Sequence, residues 1–180
     1  MGSLGLLAGG LSGCIKEPSF SSTPDISFNR IELRRFTPAG TNQQPIDSIY
    51  ITINFQDGDG DLGLTEAESK VSPYAFPSQF NSNYFIAAFV KRPRSKTYEP
   101  AVSLLSGVPI GAGLNGRFDH PSTLTDGKAA PLKGTLTRRL GIGAGDVFNT
   151  GDKVRFTVSI ADRALNVSNT ITTDSIVIGQ

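Results

Sequence analysis

Tryptophan is absent from the 180-residue chain, cysteine and histidine occur once each, and neither sign of charge predominates. The lone Cys14 excludes an internal disulfide. The lone His120 lies in Arg117-Phe118-Asp119-His120-Pro121 with no nucleophile motif beside it, which places the Asp119-His120 pair in a surface loop rather than a catalytic site. With 17 basic against 16 acidic residues the net charge is +1. The short basic groups at Arg34-Arg35, residues 91–96 and Arg138-Arg139 are scattered, so the chain carries no electrostatic footprint for nucleic acid. No run of 18 or more apolar residues occurs, so nothing is expected to cross a membrane as a helix. Without tryptophan, a carbohydrate-binding module would have to build its aromatic platform from Tyr74, Phe76 and Tyr98.

What the chain does have is β patterning from residue 25 onward, with 38% hydrophobic and 18% charged residues, enough for one domain with a core. Ile49, Ile51, Ile53 and Phe55 alternate with Tyr50, Thr52, Asn54 and Gln56, which predicts a half-buried strand over 48–56. Ile26 and Phe28 alternate, and then Ile31 and Leu33 do so on the opposite parity, so a bulge is expected near Asn29-Arg30. Residues 84–91 are apolar enough for a central strand. Further strands are expected at 98–102, 132–140, 152–161 and 168–178. In the second last, Val154, Phe156, Val158 and Ile160 face inward. Between them, residues 64–83 form a proline-containing excursion with Tyr74, Phe76 and Phe80, one helical turn at 65–69, and the character of a contact surface. The glycine-rich run 111–116 lacks the Gly-Lys-Ser/Thr ending of a phosphate loop and reads as a plain loop. Seven or so short strands separated by turns predict an all-β, antiparallel sandwich with long irregular insertions.

The chemistry is concentrated in Asp57-Gly58-Asp59-Gly60-Asp61-Leu62-Gly63, directly after the 48–56 strand. Three carboxylates at alternate positions, separated by glycines, suit a loop that folds its acidic groups around a hard cation. The spacing puts Asp57, Asp59 and Asp61 at positions 1, 3 and 5 of an EF-type loop and Glu68 at position 12, with Leu62 where that loop has its turn glycine. Calcium suits such a many-carboxylate loop better than magnesium, which keeps several waters. The competing reading is an acidic turn whose aspartates cap their own backbone. No catalytic residue is assigned, because carboxylates in acid/base roles need a cleft and a partner that the chain does not identify. In a sandwich, the loops leaving the second and sixth strands lie at one end, so Asp162 can serve as a further ligand or can simply cap its own turn.

The N-terminus supplies a different signal. Leu11-Ser12-Gly13-Cys14 follows a short apolar run of small residues and resembles a bacterial lipobox. That resemblance implies a signal peptide over residues 1–13, a lipid on Cys14, and a lipid-anchored tether over 14–24, rich in proline and serine, ahead of a domain at 25–180. Ile15-Lys16-Glu17 resembles the Lys-plus-acid signal of surface-exported lipoproteins of Bacteroidota. Asp162-Arg163-Ala164-Leu165-Asn166 resembles the Asp-x-Ala-Gly-Asn corner of bacterial immunoglobulin-like domains, with Leu165 in place of glycine. The run from Phe55 through Gly63 resembles the acidic loop of small immunoglobulin-like lipoproteins of Bacteroidota. The resemblance implies an immunoglobulin-like β-sandwich, held to the outer membrane by its lipid and exposed at the cell surface. With the calcium site read from the acidic loop, the expectation is a non-enzymatic accessory or adhesion subunit, stiffened by a structural calcium ion and meeting a protein complex or a glycan. A surface carbohydrate-binding module is the alternative.

Overall fold

The computed structural model describes residues 19–36, 46–121, 130–143 and 147–179. Within them lie eight strands: β1 (Asp25–Phe36), β2 (Ile46–Asp57), β3 (Tyr84–Lys91), β4 (Glu99–Pro100), β5 (Leu132–Gly143), β6 (Lys153–Ile160), β7 (Ile171–Thr172) and β8 (Ile176–Val177). One sheet has the order β1-β2-β5, the other β4-β3-β6-β7, with β8 also on β6. Every pairing is antiparallel. These two orders match the A-B-E and C′-C-F-G sheets of an immunoglobulin-like sandwich, so the expected fold class is borne out. Cys14, the signal segment 1–13 and the tether up to residue 18 lie outside the described residues.

Period-two alternation decides which faces meet. Ile49, Ile51 and Ile53 of β2, Ile86, Ala88 and Val90 of β3, and Val154, Phe156, Val158 and Ile160 of β6 are all buried between the sheets. Phe148 meets Phe156 edge to face with centroids 6.5 Å apart, a favoured aromatic geometry. In β1 the pairing steps from Phe28 opposite Ile53 to Arg30 opposite Thr52, which leaves Asn29 as the extra residue of a bulge. That single insertion lets Ile26, Phe28, Ile31 and Leu33 all pair with Phe55, Ile53, Ile51 and Ile49 on the core face.

Several elements depart from the sequence expectation, and β4 is confined to Glu99–Pro100 of the expected 98–102. β2 and β5 are longer than predicted, because they pair along their whole length from Ile46–Gly143 to Asp57–Leu132. The expected strand over 168–178 is split into β7 and β8. Between them the Phe156 amide bonds to the Thr173 hydroxyl at 3.0 Å, a side chain taking the place of a ladder carbonyl. The glycine run read as a plain loop contains a 3-10 turn over Gly111–Leu114.

Candidate metal centre

The last residue of β2 is Asp57, so the sheet delivers the acidic loop without a break. Further along, Leu62 and Leu64 are buried in the core, and Leu62 bridges antiparallel to Asp162 at the corner after β6. The loop is therefore clamped at both ends by packing. Gly63 has φ +98, a conformation that strains side-chain-bearing residues, and it allows Leu62 to turn into the core while the chain reverses. This is why the turn glycine comes one place later than in an EF-type loop: the intervening leucine belongs to the sandwich.

Within the clamp, Asp57, Asp59 and Asp61 each bring a carboxylate oxygen to within 4.8 Å of the others. Asp57 is 0% exposed, and neither of its oxygens has a hydrogen-bond partner. Asp59 Oδ1 and Asp61 Oδ1 are likewise buried and unpartnered. Two like charges about 4 Å apart repel by roughly 4 kcal/mol at an effective dielectric of about 20, and each unsatisfied buried oxygen adds its own desolvation cost. Burial is the main cause that pushes the Asp57 carboxyl up to about 7, and the charges of Asp59, Asp61 and Asp162 add to it. The Gly60 amide opposes this weakly from outside good hydrogen-bond geometry. Burial, then Asp162 and Asp59, push Asp61 up to about 6, against the Ala164 amide and Arg163. A divalent cation seated among these oxygens removes the repulsion and supplies the missing partners together.

The two other acidic residues expected here stand differently. Glu68 is not in the cluster. Its Oε2 accepts from the Thr65 amide and hydroxyl, both at 2.8 Å, while the Thr65 hydroxyl accepts from the Glu68 amide at 3.2 Å, the reciprocal capping box of a helical turn. Burial would raise the Glu68 carboxyl, but these bonds and His120 outweigh it and hold it below the usual range. The physical reason lies upstream: once Leu62 and Leu64 are in the core, the chain is committed to a new turn before the twelfth loop position is reached. The Glu68→Gln variant is expected to bind calcium within about twofold of the parent in calorimetry; a tenfold loss would place Glu68 in the coordination sphere.

Asp162 lies close enough to the cluster to raise its carboxyls, yet both of its own oxygens are taken. Oδ1 accepts from the Asn166 amide at 2.7 Å and Oδ2 from the Asn166 side chain at 2.8 Å. It builds the corner that faces the loop. The Arg163 amide donates to the Asp61 carbonyl at 3.2 Å and the Ala164 amide to Asp61 Oδ2 at 3.0 Å, which ties the ends of β2 and β6 together as the topology requires. At the fourth corner position Leu165 takes φ 69, left-handed backbone that costs a side-chain-bearing residue about 1–2 kcal/mol. Leu165→Gly is expected to raise stability by about 1 kcal/mol in denaturant unfolding, with the ion response unchanged.

A second polar group adjoins the corner and was not anticipated. His120 Nε2 lies 2.9 Å from Glu68 Oε2 and 3.0 Å from Arg163 Nη1, and the Tyr74 hydroxyl donates to the Arg163 carbonyl at 2.6 Å. His120 is thus a half-buried brace between loops. Its partners are 52 and 43 residues away in the chain, a separation at which local sequence carries no signal.

Fold and loop together define a class: a two-sheet antiparallel β-sandwich with an acidic, cation-type loop closing one end between its second and sixth strands. Comparison with protein-family models, with curated proteins and with solved structures finds no match in any of the three.

Proposed function

We propose that the protein is a non-enzymatic lipoprotein of the outer membrane or cell surface. Its sandwich is braced at one end by a structural calcium ion, and it serves as an accessory or adhesion subunit. The observation that carries the metal reading is Asp57: a fully buried carboxylate with both oxygens unpartnered, facing two further carboxylates. An Asx-type turn would have spent those oxygens on its own backbone. The number of carboxylates favours calcium over magnesium, and backbone carbonyls and water would complete its shell of six to eight oxygens. Asp57, Asp59 and Asp61 would hold the ion, which supplies charge neutralisation and cross-bracing.

Support for an interaction role over glycan binding comes from the aromatics. The Tyr74 hydroxyl is engaged by the Arg163 carbonyl, and Tyr98 lies under the Arg155 guanidinium at 4.2 Å with its hydroxyl on Ser175. Phe80 packs edge-on against Phe85. Phe76, 86% exposed, is the aromatic of the 64–83 excursion left facing outward. A flat aromatic platform is not assembled from these side chains.

Thermal melting tests the reading. Extracellular calcium modules have dissociation constants of about 0.1–1 mM, so 10 mM calcium should add roughly 1.4–2.7 kcal/mol over chelator. A domain of this size should then melt about 3–10 °C higher. An unchanged midpoint, or an equal rise with magnesium, would reject a calcium brace.

A further inference from the structure

The acidic loop also receives the start of the domain. The Gly58 amide donates to the Ser21 carbonyl at 2.7 Å, and a Cβ on Gly58 would collide with the carbonyls of both Phe20 and Ser21. Only glycine lets these two segments lie so close. The contact belongs to a short built strap: the Thr23 amide bonds to the Ser21 hydroxyl at 3.0 Å, Pro24 is buried, and β1 begins at Asp25. Gly58 stands between Asp57 and Asp59, so its amide can move little without moving two of the three clustered carboxylates.

We infer that the ion-loaded loop is the seat of this strap, residues 20–24, so that occupancy of the loop decides whether the strap is held on the domain or released. The inference rests on the metal reading above. When the ion is gone, the repulsion left among the clustered carboxylates makes opening of the loop easier, and the Gly58 amide that holds the Ser21 carbonyl is carried with it when the loop opens. The consequence is mechanical. Six peptide units separate residue 14 from residue 20 and span at most about 22 Å; with the strap released, ten units reach about 36 Å. A domain fixed at residue 14 would therefore stand short and loop-end inward when loaded, and swing on a longer leash when empty.

Chymotryptic cleavage after Phe20 in the full chain, read as the mass of the shortened product, tests this, with calcium uptake followed separately by calorimetry. Cleavage is expected to be at least tenfold slower in 10 mM calcium than in chelator. Gly58→Ala should bind calcium more weakly, by up to the factor with which the ion slows cleavage of the parent, yet at an ion concentration that calorimetry shows to saturate it be cut as fast with the ion as without it. Equal rates with and without calcium in a chain that calorimetry shows to be loaded would overturn strap control while sparing the metal centre. So would a loaded Gly58→Ala variant protected like the parent. Absence of uptake in calorimetry would overturn both. Should Gly58→Ala fail to fold, the pair of parent rates decides alone.

Discussion

Asp57→Asn should abolish the response to the ion: more stable than the parent in chelator, and without that advantage in calcium. In chelator near pH 7.5 the parent carries a buried, unpartnered carboxylate beside two others. The amide keeps the shape and removes the charge. It still buries polar atoms without partners, at a cost of about 1–3 kcal/mol, so only part of the electrostatic penalty is recovered. A net gain of about 1–2 kcal/mol, or roughly 2–6 °C in melting midpoint, is the expected result. In 10 mM calcium the parent gains its 3–10 °C and the variant gains almost none, because a neutral amide replaces the most enclosed anionic ligand. Two melting curves per protein suffice. A variant that is destabilised in chelator, or that keeps the parent's calcium response, would remove Asp57 from the centre of the site.

The contrast between Asp57 and Glu68 shows how far local pattern reaches. Alternation made β2 and β6 legible, since a pleated strand with one buried face writes its period directly into the residues. The Gly-Asp repeat made the carboxylate cluster legible for a similar reason: alternate residues of an extended loop project to one side. Bringing that loop to the Asp162 corner needed only the rule that loops leaving the second and sixth strands share an end, and the bonds from Arg163 and Ala164 to Asp61 obey it. Glu68 is different. Its spacing fits an EF-type loop, but Thr65 three residues before it also fits a capping box, and which pattern forms depends on Leu62 and Leu64 entering the core. Burial is a tertiary event, so the competition is not decided locally. The strap on Gly58 and the His120 brace lie further still from local reading, since each joins segments tens of residues apart. Tyr98 looked like a platform because nothing beside it in the chain announces Arg155.

The acid titration of the cluster gives the other large effect. Burial and the neighbouring carboxylates push the folded Asp57 and Asp61 carboxyls up to about 7 and about 6, above the ordinary aspartate range. A raised carboxyl favours the folded state while it is protonated. The corresponding stability is thus complete below about pH 4 and is lost as pH rises through 6 and 7. For Asp57 alone this amounts to roughly 4 kcal/mol across that window, the opposite trend to an ordinary salt-bridged aspartate. In chelator, denaturant unfolding should therefore give a stability that falls between pH 5 and 7.5. Calcium should cancel the fall, because the ion binds the deprotonated carboxylates and competes with their protons. By the same linkage the apparent dissociation constant for calcium should rise at least tenfold between pH 7.5 and 5.5, with proton release on binding seen in calorimetry in buffers of different ionisation enthalpy. A chelated protein whose stability climbs from pH 5 to 7.5, together with a calcium affinity indifferent to pH, would mean that the three carboxylates are already ionised and separately solvated, and no cation would be needed to hold the loop closed.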